Sequence, residues 1–109
     1  MKHIITALAL VASTTASAQF YSGNELLQRM DSGDASQNML AMGYVAGVVD
    51  MTRGEYHCAP ATVTLGQVRD MVRNYIYNTP ANRHMNGSVL VTLPLMSVWP
   101  CPTKKGGNL

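Results

Sequence analysis

Charge is scarce in this sequence, and so is cysteine. Only 13% of the 109 residues are Asp, Glu, Lys or Arg, and the formal net charge is +2. So small a surplus names neither a nucleic acid nor a membrane surface as partner. No Gly-rich phosphate loop, paired-carboxylate site or Ser-His-Asp set can be found, and in a chain this short that argues against an enzyme. A structural zinc site calls for four ligands at recognisable spacing, and two cysteines with scattered histidines do not supply them. The interior stretch without charge, between Asp34 and Asp50, contains Gln37 and Asn38. It is shorter than the roughly 20 apolar residues that a bilayer helix requires. There is no internal repeat and no separate linker, and no cofactor is implied.

What is present begins with an export signal. Lys2 and His3, an apolar run from Ile4 to Ala12, and Ala16-Ser17-Ala18 form the three regions of a secretory signal peptide. Cleavage after Ala18 leaves a mature chain starting at Gln19. Removing Lys2 leaves seven Lys and Arg against six acids, so the mature protein is close to neutral. An exported protein meets an oxidising compartment, which makes Cys58 and Cys101 a disulfide pair. A domain of this size has a small core and is usually stapled. No membrane segment is expected in the mature form, and in a Gram-negative source the location would be the periplasm.

The central run Met39–Asp50, MLAMGYVAGVVD, reads as a helix that is apolar nearly all round and buried on most sides. Gly43 and Gly47 are poor helix formers, so they suggest the close approach of another backbone. Asp50 opposes the dipole at the end of that helix and calls for a partner, either Arg53 or donors at the start of another helix.

Ser22 to Glu25 is a capping-box pattern opening a short first helix to about Met30, with Phe20 or Tyr21 as its staple. Asp34 or Ser36 can cap the central helix, which should end near Thr52. Residues 54–63 form a loop. Thr64 to Gln67 is a second capping box, and Leu65, Val68, Met71, Val72, Tyr75 and Ile76 then share one apolar arc. Thr79-Pro80 opens a fourth helix, with Ala81, Met85, Ser88, Val89, Thr92, Leu93 and Met96 on one face and a kink expected at Pro94. Thr103 onwards is a polar tail.

His57-Cys58 and His84 invite a thiol-enzyme or metal reading, but a nucleophilic cysteine should not be tied up in a disulfide. Eight methionines raise copper binding, since thioethers suit Cu(I). Met39, Met42, Met71, Met85 and Met96 fall on faces assigned to the core, however, and packing is the favoured reading. What remains is surface. Tyr77 lies among Arg69, Asp70, Arg73 and Asn74 on the polar side of the third helix, and Asn82, Arg83 and His84 adjoin it. Arg and Tyr are enriched at interface hot spots, although residue types alone favour an ordinary solvated face. Composition and spacing lead to a small exported helical binding protein and no further.

In order, Tyr21-Ser-Gly-Asn-Glu-Leu-Leu27, Gly43-Tyr-Val-Ala-Gly-Val-Val-Asp50, Cys58-Ala-Pro60, Val63-Thr64, Tyr75-Ile76, Asn78-Thr-Pro80, Arg83-His84 and Pro100-Cys101 follow the signal peptide. Together they resemble the Rap/Tai family of type VI secretion amidase immunity proteins over almost the whole mature chain. The resemblance implies a compact helical periplasmic protein, often a homodimer, that performs no chemistry. It would bind a peptidoglycan amidase effector and occlude its active-site groove. The contact region it implies is the third helix and nearby loops, carried over here to Arg69, Asp70, Arg73, Asn74, Tyr77, Asn82, Arg83 and His84.

Two features depart from the family pattern. Many relatives carry a second cysteine pair where this chain has Met30 and Ala41 or Met42, and their last helix lacks an interruption like Pro94. Stability must then lean on methionine packing and on Cys58–Cys101.

The expected architecture is all-α: a signal peptide over 1–18, a small bundle of about four helices with one disulfide over 19–103, and a flexible tail over 104–109. A periplasmic acid-stress chaperone of the HdeA type is the rival function. Such a protein should be rich in groups that change state on acidification, and six acids weigh against it. A Met-rich periplasmic metal-binding protein is the third reading, disfavoured by the core assignment of the methionines.

Overall fold

The computed structural model describes residues 20–103. The expected signal peptide, its expected cleavage point after Ala18 and the expected tail over 104–109 lie outside the described residues. Four helices carry the fold: α1 (Gly23–Met30), α2 (Ala35–Thr52), α3 (Leu65–Asn78) and α4 (Gly87–Val98), with a single 3-10 turn over Pro80–Asn82 before α4. Every pair of these helices is in contact. No strand is formed among the described residues.

Each helix start solves the same problem, the backbone N–H groups of the first turn that have no intrahelical acceptor. At α1, Ser22 Oγ accepts from the Glu25 N–H at 3.2 Å. The Gly23 and Asn24 N–H groups donate instead across the molecule, to the carbonyls of Met85 (3.0 Å) and Arg83 (2.9 Å). At α2, Asp34 Oδ1 accepts from both the Ser36 N–H (2.9 Å) and its hydroxyl (2.8 Å). Those bonds hold the Asp34 carboxyl below the usual carboxylate range. At α3, Thr64 and Gln67 form the reciprocal capping box that their spacing predicts.

The core is a narrow column. Leu26 of α1, Ala41, Val45 and Val49 of α2, Val68, Val72 and Ile76 of α3, and Leu90, Val91 and Leu95 of α4 are buried together. On α2 and α3 these are positions i, i+4 and i+8, one stripe per helix. Each buried Val, Ile or Leu contributes about 1.5–3 kcal/mol. Cys58 and Cys101 are bonded, with their Cα atoms 4.8 Å apart and a sequence separation of 43. In the chain-entropy treatment a loop of that length stabilises by about 4 kcal/mol.

Several expectations fail, and each failure has a cause. The central helix is not buried on most sides: Met39 is 72% exposed, Leu40 48% and Met51 79%. Four helices in a chain this short can cover only one stripe of each other. Nothing lies within 4 Å of a Cβ built on Gly43 or Gly47, so no backbone approaches there. The close approach occurs at Gly87, where a Cβ would stand 2.8 Å from Leu26 Cδ1 and 2.9 Å from the Tyr21 carbonyl oxygen, and also at Gly23, beside Arg83.

The last helix starts at Gly87 rather than at Pro80, and its inward face is not the expected one. Gly87, Leu90, Val91, Pro94 and Leu95 are buried, at i, i+3, i+4, i+7 and i+8. Val89, Leu93 and Met96 are therefore turned outward. The glycine pressed against α1 sets this rotation, because no larger side chain fits at that contact. The helix runs on through Pro94 to Val98. Met39 and Met96 are exposed, so methionine packing rests on residues such as Met30 and Met85 at the core margin. Asp50 is exposed and makes no ion pair with Arg53 among the described residues.

Candidate functional site

The His57-Cys58 pair is structural. Cys58 is half of the disulfide, and His57 is completely buried. Its Nδ1 accepts from the Ala59 N–H at 3.2 Å, which leaves the ring hydrogen on Nε2, 2.8 Å from Thr52 Oγ1. Thr52 Oγ1 in turn donates to the Val48 carbonyl. The neutral tautomer thus joins the end of α2 to the disulfide loop, and both nitrogens are spent. His84, the other candidate imidazole, is exposed on the turn before α4. Among the described residues no group of three or more His, Cys, Asp or Glu is arranged to hold a metal ion.

Burial holds the His57 imidazole below its ordinary value. In the unfolded chain the same ring takes up a proton more readily. Unfolding is therefore favoured by acid, and the contribution of this residue to stability is full at neutral pH and lost as the pH falls below about 6.5. The melting temperature should drop between pH 7 and pH 5, and His57→Gln should flatten that slope. A slope unchanged by the substitution contradicts this role.

The polar face of α3 holds together as a patch, though its charges are less free than residue types suggest. Arg73 clasps Asp31 at the end of α1 through Nε (2.7 Å) and Nη2 (3.0 Å). Arg69 pairs with its neighbour Asp70 at 2.7 Å, and Asn74 accepts from Arg73 Nη1 at 3.4 Å. Arg83 is committed to the fold: its Nε donates to the Ile76 carbonyl at 3.0 Å and its Nη2 to that of Tyr77, closing the C-terminal end of α3. Asn82 belongs to the same turn, its carbonyl accepting from the Met85 N–H.

Tyr77 is what this framework displays. The residue is 54% exposed, with the Arg73 guanidinium 5.1 Å from the ring centroid and that of Arg83 5.6 Å from it. Both distances lie within cation–π reach. The result is an aromatic ring held in a fixed orientation by two cations that are themselves anchored. A stiff, amphipathic side chain of this kind loses little entropy when a partner covers it.

Two surfaces escaped the sequence reading. The first is the apolar strip formed where α2 meets α4, with Gly47, Val48, Met51 and Thr52 on one side and Val89, Leu93 and Met96 on the other. Tyr56, 54% exposed, stands at its end. Its signal was present in the apolar faces of both helices but was assigned to the interior. The second is a concavity at the junction of α1 and α2, lined by Gln28, Arg29, Ser32 and Gln37.

The chain has no match among curated proteins. A family profile described as Rap1a immunity proteins matches residues 22–101, which takes in all four helices and both cysteines. The chain belongs to the Rap1a immunity protein family.

Proposed function

We propose that the protein is exported to the periplasm and protects it by binding a type VI secretion peptidoglycan amidase and occluding its active-site groove. Membership of an immunity family supports a partner-binding role, and the signal-peptide pattern of residues 1–18 supports export. The disulfide is in keeping with an oxidising compartment. No helix of the described residues is long and apolar enough to cross a membrane. Protection by occlusion requires no chemistry from this chain, only a surface that fits a groove and stays rigid.

The observation that carries the reading is the presentation of Tyr77. Occlusion of a groove calls for a stiff side chain that projects into it. A ring buttressed by Arg73 and Arg83 is suited to enter it, and Asn74, Asn82 and His84 are proposed to contact the partner beside it. Arg69 and Asp70 would contact the rim.

The apolar strip between α2 and α4 fits a second function, pairing with another copy of the chain. Val89, Leu93, Met96, Met51 and Leu40 are exposed at once, and Gly43 and Gly47 leave the surface of α2 open to close approach. Contiguous apolar surface of this kind is a mark of protein interfaces. The family resemblance to homodimers points the same way.

Two outcomes follow. Tyr77→Ala should weaken binding of the cognate amidase about tenfold or more while leaving the melting temperature within about 2 °C; unaltered affinity in a folded variant removes the patch from the interface. Gly47→Ala should raise the stability of the isolated monomer by roughly 0.5–1 kcal/mol and shift the dimer towards monomer in sedimentation velocity. A dimer that tolerates the added methyl places the pairing surface elsewhere.

A further inference from the structure

The junction of α1 and α2 contains a cation that neither the effector patch nor the fold accounts for. The Arg29 guanidinium lies over the Tyr21 ring, 4.7 Å from its centroid, and its Nη1 donates to Gln37 Oε1. Asn38 holds the Arg29 backbone, its Nδ2 donating to the carbonyl at 2.7 Å. The residue is thus fixed in place. Its charge is nevertheless unanswered: among the described residues no carboxylate stands within ion-pair distance of it. Glu25, one turn earlier and the usual helical partner of such an arginine, instead accepts from the Ser22 hydroxyl at 3.3 Å. Asp31 is taken by Arg73. Arg29 Nε is closed off from solvent and has no acceptor, alone in this among the described side chains.

Beside this guanidinium is a concavity of about 370 Å³ lined by Gln28, Arg29, Ser32 and Gln37. Arg29 is its one charged wall. The planar fork of an arginine matches a carboxylate through two parallel N–H···O bonds, and the amide oxygen of Gln37 is a weaker, uncharged acceptor in that position.

We propose that the concavity is a carboxylate-binding pocket, in which an Asp or Glu side chain of the protein partner replaces the Gln37 amide oxygen as acceptor of the Arg29 guanidinium. The proposal rests on the partner-binding function set out above. A single cation holds a free carboxylate weakly. A side chain delivered by a partner already docked on the protein arrives at a high effective concentration, and the preset orientation of Arg29 reduces the ordering that the contact requires.

The test uses the mature protein in three forms: wild type, Arg29→Gln, and Gln37→Glu, which places a carboxylate in the pocket from within the chain. Binding of the cognate amidase is measured by calorimetry, and the arginine Nε–Hε NMR signals are followed during titration with sodium acetate against sodium chloride at constant ionic strength. Both variants should bind the amidase at least about tenfold more weakly. Gln37→Glu should also raise the melting temperature, which separates filling of the pocket from damage to the fold. Acetate should shift the Arg29 signal in the wild type and leave it unmoved in Gln37→Glu. Equal affinity of all three forms for the amidase overturns the proposal, and so does an Arg29 signal that answers acetate no more than chloride. Failure of the wild type to bind any amidase overturns the proposed function instead, and the acetate titration then decides whether the pocket takes carboxylates at all.

Discussion

The fold depends on how the start of α1 is seated against the segment just ahead of α4. The Gly23 and Asn24 N–H groups reach the Met85 and Arg83 carbonyls, and the Gly87 N–H returns a bond to the Tyr21 carbonyl at 2.7 Å. Such contacts need two backbones at van der Waals distance, and only glycine at 23 and 87 leaves that room. Arg83 extends the junction to a third helix by capping α3 with its side chain while its carbonyl serves α1. One short segment thus fixes the ends of three helices. It also sets the rotation of α4, and through it the identity of the apolar face left outside.

At the other end of the bundle, covalent and polar ties share the work. The disulfide joins the loop after α2 to the chain after α4, and the Cys58 N–H donates to the Trp99 carbonyl at 2.8 Å. Buried His57 links that loop back to Thr52. A narrow core column is enough for a domain held in this way at both ends. The surfaces of α2 and α4 can therefore remain apolar without being needed inside.

Helix starts and the disulfide were legible in the sequence because each is a local or pairwise signal. Ser22, Asp34 and Thr64 announce their caps within three residues, and two cysteines in a chain read as exported have one pairing. Burial was legible only where a clear stripe existed, as on α3. The apolar runs of α2 and α4 have no polar face to give a direction, so periodicity could not say which side turns inward. Gly43 and Gly47 drew attention for their regular spacing, whereas the glycines that mattered, Gly23 and Gly87, sit beside helix starts and are explained only by a contact distant in sequence. The polar patch around Tyr77 was found from the helical wheel. The commitments of Arg73 to Asp31 and of Arg83 to the end of α3 depend on tertiary contacts that no wheel contains.

The proposed function divides its tasks by surface. The polar face of α3 presents a braced aromatic ring, and the exposed apolar strip between α2 and α4 is the surface proposed to pair with another copy of the chain. Hydrogen–deuterium exchange of residues 19–109, alone and with the proposed amidase partner, tests that division most directly. Exchange should slow across residues 69–84 on adding the amidase, with no further change over 89–96. Protection confined to α2 and α4, with 69–84 unaffected, would contradict it.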